Sequence, residues 1–131
     1  GTLDFVPLDH VAEGIVTIAN RMEDAAGGTY HLVSGQPLPV TAFARAIGSY
    51  PQFHAPHLVK PEDFDPASLQ ALERRLYKRV AGLYASYFQR DPHFSDAEFR
   101  KLSGRGCPPT GPAYITRLID HCIDVGFLPA A

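Results

Sequence analysis

The chain has 131 residues, which fits one domain burying roughly two-thirds of the surface its unfolded form exposes. Apolar residues make up 45% and charged residues 20%, which excludes a disordered chain, and a net charge of −2 argues against nucleic acid as a partner. No apolar run reaches the ~18 residues a membrane helix needs, so no membrane span is expected.

Leu3 to Pro7 is apolar and β-prone and stops at a proline, as a strand end does. The opening residues hold no basic region and no apolar segment of signal-peptide length, which points to the cytoplasm. Strand residues begin within a few positions of Gly1 with no Met before them, so the sequence reads as a portion of a longer protein. Asp9 stands where an N-cap belongs, and Val11, Ile15, Ile18 and Met22 follow at helical spacing up to Gly27-Gly28. Thr29 to Val33 is a second short strand, closed by Ser34-Gly35. Residues 1–35 thus carry the spacing of a right-handed βαβ crossover. If no neighbouring sheet accompanies the strand at Thr29–Val33, its edge invites self-association.

Residues 36–131 read as a helical part. A short helix carries Phe43, Ala44, Ala46 and Ile47 and stops at Gly48. From Ser49 to Pro66 the prolines forbid a long helix, and Tyr50, Phe53, His54, His57 and Phe64 fall on a surface loop. Asp65-Pro66 is a cap followed by a first-turn proline. The longest expected helix follows, with Leu69, Leu72, Leu76, Val80, Leu83 and Tyr87 on one apolar stripe and Arg74, Arg75, Lys78 and Arg79 off it. Ser95-Asp96-Ala97-Glu98 has the form of a capping box, with Phe99 and Leu102 facing inward. Pro112 opens the last helix, whose inner face is Ile115, Leu118, Ile119, Cys122 and Ile123; Gly126 suits a left-handed cap with Phe127 packing back. The expected fold is α+β and mainly helical: one βαβ crossover with two short strands, plus about four further helices.

The chemistry is defined largely by what is missing. A dinucleotide fold needs glycines between the first strand and its helix, where this chain has Pro7-Leu8-Asp9-His10. A lysine-tuned tyrosine needs Lys four residues on, yet the residues four beyond the tyrosines are Ser34, His54, Ala81, Phe88, Asp91 and Leu118. No catalytic or cofactor-binding residue is therefore assigned. His54 with His57, and His121 with Cys122, lack a recognised zinc pattern, so no metal is expected. Cys107 and Cys122 could form one bridge, but free thiols in a reducing compartment fit two cysteines better. Arg105 beside Cys107 would lower that thiol's pKa if both were exposed. The cations Arg74, Arg75, Lys78 and Arg79 form either a solvated face or a contact for an anion: coenzyme A, NADP or an acidic carrier protein.

Asp4-Phe5-Val6-Pro7-Leu8-Asp9-His10-Val11-Ala12-Glu13-Gly14-Ile15-Val16, followed by Gly28-Thr29-Tyr30-His31-Leu32-Val33, resembles the second half of extended short-chain dehydrogenase/reductases. The flavour is that of thioester and fatty acyl-CoA reductases of the male-sterility type. Tyr84-Ala85-Ser86-Tyr87-Phe88, Phe94-Ser95-Asp96 and Ile123-Asp124-Val125-Gly126-Phe127-Leu128 are similar to the helical tail of some bacterial members. His10 stands in place of the family's usual Tyr and Leu8 in place of its Val. The resemblance implies an NAD(P)H-dependent parent enzyme that reduces an acyl thioester, acyl-CoA or carrier-bound, to aldehyde or alcohol. Its glycine loop and catalytic tyrosine and lysine would lie on an N-terminal Rossmann domain outside these residues, leaving this portion inactive by itself. It also implies a substrate-side role for Tyr50 to Phe64, which includes Phe53, His54 and His57, and for His10. The alternatives are a stand-alone helical module docking a partner or carrier protein, and a nucleotide-sugar epimerase or dehydratase parent.

Overall fold

The computed structural model describes residues 1–82, 84 and 90–131. In chain order these form β1 (Thr2–Leu3), α1 (Leu8–Asn20), α2 (Met22–Ala25), β2 (Leu38–Pro39), α3 (Val40–Gly48), α4 (Ala71–Leu76), α5 (Ala97–Ser103) and α6 (Pro112–Asp124). α4 runs on into a wider-wound turn, Tyr77–Ala81. Leu83 and Tyr87 of the expected stripe, and Ala85-Ser86-Tyr87-Phe88 of the family-like tail, lie outside the described residues. No helix among the described residues is long and apolar enough to cross a membrane.

The mainly helical α+β layout is present, but the sheet is not a βαβ crossover. β1 pairs antiparallel with β2, Thr2 opposite Pro39 and Leu3 opposite Leu38, so the sheet spans the expected division at residue 35. Thr29–Val33 forms no strand and has no ladder partner among the described residues. The reason is that β propensity measures fit to a half-buried surface rather than a backbone demand. Leu32 gains that burial by lying directly over Gly14 of α1, where a Cβ would come within 2.6 Å of its Cδ2. Ser34 then bonds to a side chain, Asp4, instead of to a strand.

Two helix pairs carry the packing, one of them against this small sheet through α3 and β2. α3 packs on α6 around Leu38, Ala42, Ile115 and Ile119, with Phe5, Phe43, Tyr50, Phe53 and Leu128 closing the cluster. Phe5 and Phe43 stack with centroids 5.4 Å apart. α1 packs on α5, where fully buried Phe99 meets the His10 ring edge-on at 5.6 Å. Each fully buried Phe or Ile side chain contributes about 1.5–3 kcal/mol. Arg21 Nη1 donates to the Leu102 carbonyl at 2.5 Å, satisfying an open acceptor near the end of α5.

Several local expectations shift by a residue or a face. α1 begins at Leu8 with Pro7 as its N-cap; Asp9 sits inside the first turn, its carboxylate accepting from the His10 N–H at 2.8 Å. A carboxylate there still complements the helix dipole. The buried face of α1 is His10 and Gly14, whereas Ile15 and Met22 are exposed. α5 starts at Ala97 with Asp96 as cap, and Ser95 Oγ accepts from the Ala97 N–H at 3.2 Å; the Asp96 carboxylate turns to Arg100 instead. The reach-back bond of a capping box occurs at α4, where Glu73 accepts from the Gln70 N–H at 3.1 Å. Asp65 caps only a single 3₁₀ turn, Pro66–Ser68, accepting from the Ala67 N–H at 2.8 Å. At the C-terminal end Gly126 takes φ +73°, but Phe127 points to solvent and Leu128 packs on the core in its place. Leu118 is likewise exposed.

Candidate functional site

A polar cleft lies where β1 meets two loops, 33–37 and 91–94. Asp4 leaves β1 and accepts the Ser34 N–H at 3.2 Å on each carboxylate oxygen, and the Ser34 hydroxyl as well. Ser34 Oγ in turn accepts from the Gln36 N–H at 2.9 Å, while Gly35 at φ +68° turns the chain sharply. On the opposite wall Asp91 Oδ1 accepts from both the N–H and the hydroxyl of Thr2 at 2.8 Å, and His93 Nε2 lies 3.4 Å from Asp91 Oδ2. The Thr2 hydrogen bonds hold the Asp91 carboxyl below its usual range. His31 stacks on Phe94 beside it, 4.9 Å between centroids. Thr2, Asp4, Val33, Gly35, Asp91 and His93 thus face a cavity of about 330 Å³. Two carboxylates and an imidazole suit a ligand group that donates hydrogen bonds.

A second polar group lies behind Gly35. Arg100 grips the buried Asp96 carboxylate through two hydrogen bonds, holding its pKa low. His10 sits close enough to act on that carboxylate. The His10 ring is buried against Phe99, and its Nε2 has no hydrogen-bond partner among the described residues, as is true of Thr110 Oγ1. Cys107 faces the same carboxylates: burial, then Asp4, Asp96 and Asp9, push its thiol pKa up. The exposure that would let Arg105 lower it is not met: Cys107 is half-buried, and Arg105 is drawn to Glu13 at 2.9 Å. A protonated thiol is a weak nucleophile.

The expected substrate residues divide between two places. His10 lies between α1 and α5. Phe53 is half-buried in the α3–α6 core, 6.0 Å from the Tyr50 ring, while His54 and His57 are exposed on the loop that follows. His57 borders an open groove of about 650 Å³ with Thr41, Ala44, Ala55, Pro56 and Leu58. Arg74, Arg75, Lys78 and Arg79 do come together, lining a shallow surface with Ala71. No cluster of three or more possible metal-ligating His, Cys, Asp or Glu side chains occurs among the described residues.

Sequence reasoning missed the cleft itself. Asp96 and Arg100 stand four apart on one helix face, a spacing that signals an ion pair. Thr2 and Asp91 are separated by 89 residues, and no pattern in the sequence joins them. Compared with protein-family models, with curated proteins and with solved structures, the chain matches none.

Proposed function

We propose that this chain is the substrate-side portion of a cytoplasmic NAD(P)-dependent reductase whose parent converts an acyl thioester, CoA- or carrier-bound, to aldehyde or alcohol. The observation that carries the reading is the second apolar face of α1. The helix follows the family-like Phe5-Val6-Pro7-Leu8-Asp9 segment and packs His10 and Gly14 toward α5, yet Leu8 is 82% exposed, Ile15 58% and Val16 57%. A helix with apolar side chains on two of its faces is suited to packing on both, with Asp9 and Glu13 left at the rim between them. In this reading the open side of α1 rests on the parent's nucleotide-binding layer, which brings NAD(P)H and the catalytic groups.

The groove beside α3 then forms part of the substrate wall. Its volume lies within the range of small-molecule sites, and Ala44, Ala55, Pro56 and Leu58 give it an apolar floor with His57 at the edge. Such a lining suits an acyl chain.

Calorimetric titration of the chain with a long-chain acyl-CoA, with free CoA and with NADPH tests the assignment. The expected outcome is saturable heat from acyl-CoA, weakened by Leu58→Glu, and none from NADPH. Saturable NADPH binding, or no binding of acyl-CoA, overturns it.

A further inference from the structure

We infer that α4 and its continuation, Ala71–Ala81, form an interfacial helix that seats the protein on an anionic lipid surface. Leu72, Leu76 and Val80 recur every fourth residue and stand 70%, 54% and 55% exposed. Arg74, Arg75, Lys78 and Arg79 share a different face, the one they line with Ala71. Four cations face one carboxylate on this segment, Glu73, which is tied back to the Gln70 N–H. Local charge governs such a contact, because the Debye length of about 8–10 Å screens the chain's more distant carboxylates.

The arrangement of the two faces selects the occupant. An acidic protein bound on the cations would leave the leucine edge in water. A helix lying in the plane of a bilayer buries that edge at the headgroup boundary while its Arg and Lys side chains bend back to the phosphates. The segment also has room to lie flat. Among the described elements its dense contacts are between α4 and its own continuation, and it is tethered by the Phe64–Tyr77 stack at 5.1 Å. α1 makes the contrast: its open apolar face is accompanied by Asp9 and Glu13, which a negative membrane surface would repel.

The test is co-sedimentation of the chain with phosphatidylcholine vesicles, with and without phosphatidylserine. Binding is expected only to the vesicles containing phosphatidylserine, and it should fall steeply as salt is raised. Removing one cation, as in Arg75→Ala or Arg79→Ala, should weaken it roughly fivefold. Leu72→Ser with Leu76→Ser should abolish it; both side chains are exposed, so unchanged circular dichroism is expected to show an intact fold. No binding at low salt overturns the inference. So does binding that survives the leucine changes and needs only the cations, which would mark the face as a contact for an acidic macromolecule. The acyl-CoA titration is run on the same variants. Vesicle binding can fail while acyl-CoA binding persists, and then only the membrane seat is lost.

Discussion

The Arg100 guanidinium closes on the Asp96 carboxylate one helical turn before it, Nε at 2.8 Å from one oxygen and Nη2 at 2.9 Å from the other. Two parallel charge-assisted bonds of this kind fix direction as well as distance. Asp96 is buried while the guanidinium remains largely exposed, so the pair clasps the first turn of α5, and Gly35 lies against it, close enough that a Cβ there would crowd both side chains. Asp96→Ala should cost up to about 1 kcal/mol in a urea titration, the range of an ion pair with a solvent-screened partner. Its pH dependence has a definite sign. The folded-state pKa of Asp96 is depressed, so its contribution is present above the unfolded value of about 3.9 and is lost as pH falls through the folded value. Asp96→Asn should therefore flatten the acid limb of the stability curve; an unchanged acid limb would show that the clasp adds nothing.

Tyr50 and Asp120 make the corresponding tie between the loop after α3 and α6. The Tyr50 hydroxyl donates to Asp120 Oδ1 at 2.6 Å and lies 3.2 Å from the Thr116 carbonyl. The hydrogen bond to a carboxylate, which the phenolate could not donate, pushes the Tyr50 pKa up to about 12. This contribution holds below the unfolded tyrosine value of about 10 and disappears as pH rises through the folded value. A tyrosinate absorbance titration should show one of the six tyrosines ionising late. In Asp120→Asn that late step should move back toward the others.

The helices α1, α3 and α6 were legible because periodic apolar residues and a proline or glycine at their ends mark a helix whatever surrounds it. Which side of α1 packs inward was not. The stripe Val11, Ile15, Ile18, Met22 is genuine, but Leu8, Ala12, Val16 and Ala19 also carry apolar side chains, and the choice is made by where Phe99 arrives from far along the chain. The second strand was misplaced for a related reason. Thr29–Val33 has strand composition, yet the Asp4 carboxylate takes the Ser34 N–H, and β1 pairs with Leu38–Pro39 instead. The basic face of α4 was legible because all its members fall within two turns of one helix. The cleft was not, since Thr2, Asp4, Ser34 and Asp91 meet only after folding.

Cys107 gives a chemical readout of the polar group behind Gly35. Burial and three carboxylates, Asp4, Asp96 and Asp9, all disfavour its thiolate. Alkylation by iodoacetamide at neutral pH should be slower at Cys107 than for a free cysteine thiol, with the rate rising only at higher pH. Asp4→Asn should speed it modestly, because burial, the larger cause, remains. Fast alkylation of Cys107 in the parent chain would mean that Arg105 had left Glu13 and reached the sulfur.

Gly35 and Gly104 separate backbone strain from crowding. Both are left-handed, φ +68° and +74°, a region that costs a residue with a Cβ about 1–2 kcal/mol. A Cβ on Gly104 meets open space, so Gly104→Ala should show that strain alone. A Cβ on Gly35 would lie 3.0 Å from Arg100 Nη2 and 3.4 Å from each Asp96 carboxylate oxygen. Arg100 is flexible enough to move aside, but moving it weakens the clasp on Asp96. Gly35→Ala should therefore destabilise more than Gly104→Ala. The excess should vanish when Asp96 is already Ala, because no clasp is left to disturb. A four-member cycle of urea denaturation, comparing Gly35→Ala with and without Asp96→Ala, measures that coupling directly. Equal costs for Gly35→Ala in both backgrounds would mean that the glycine answers only to its backbone angle, and that crowding against the clasp contributes nothing.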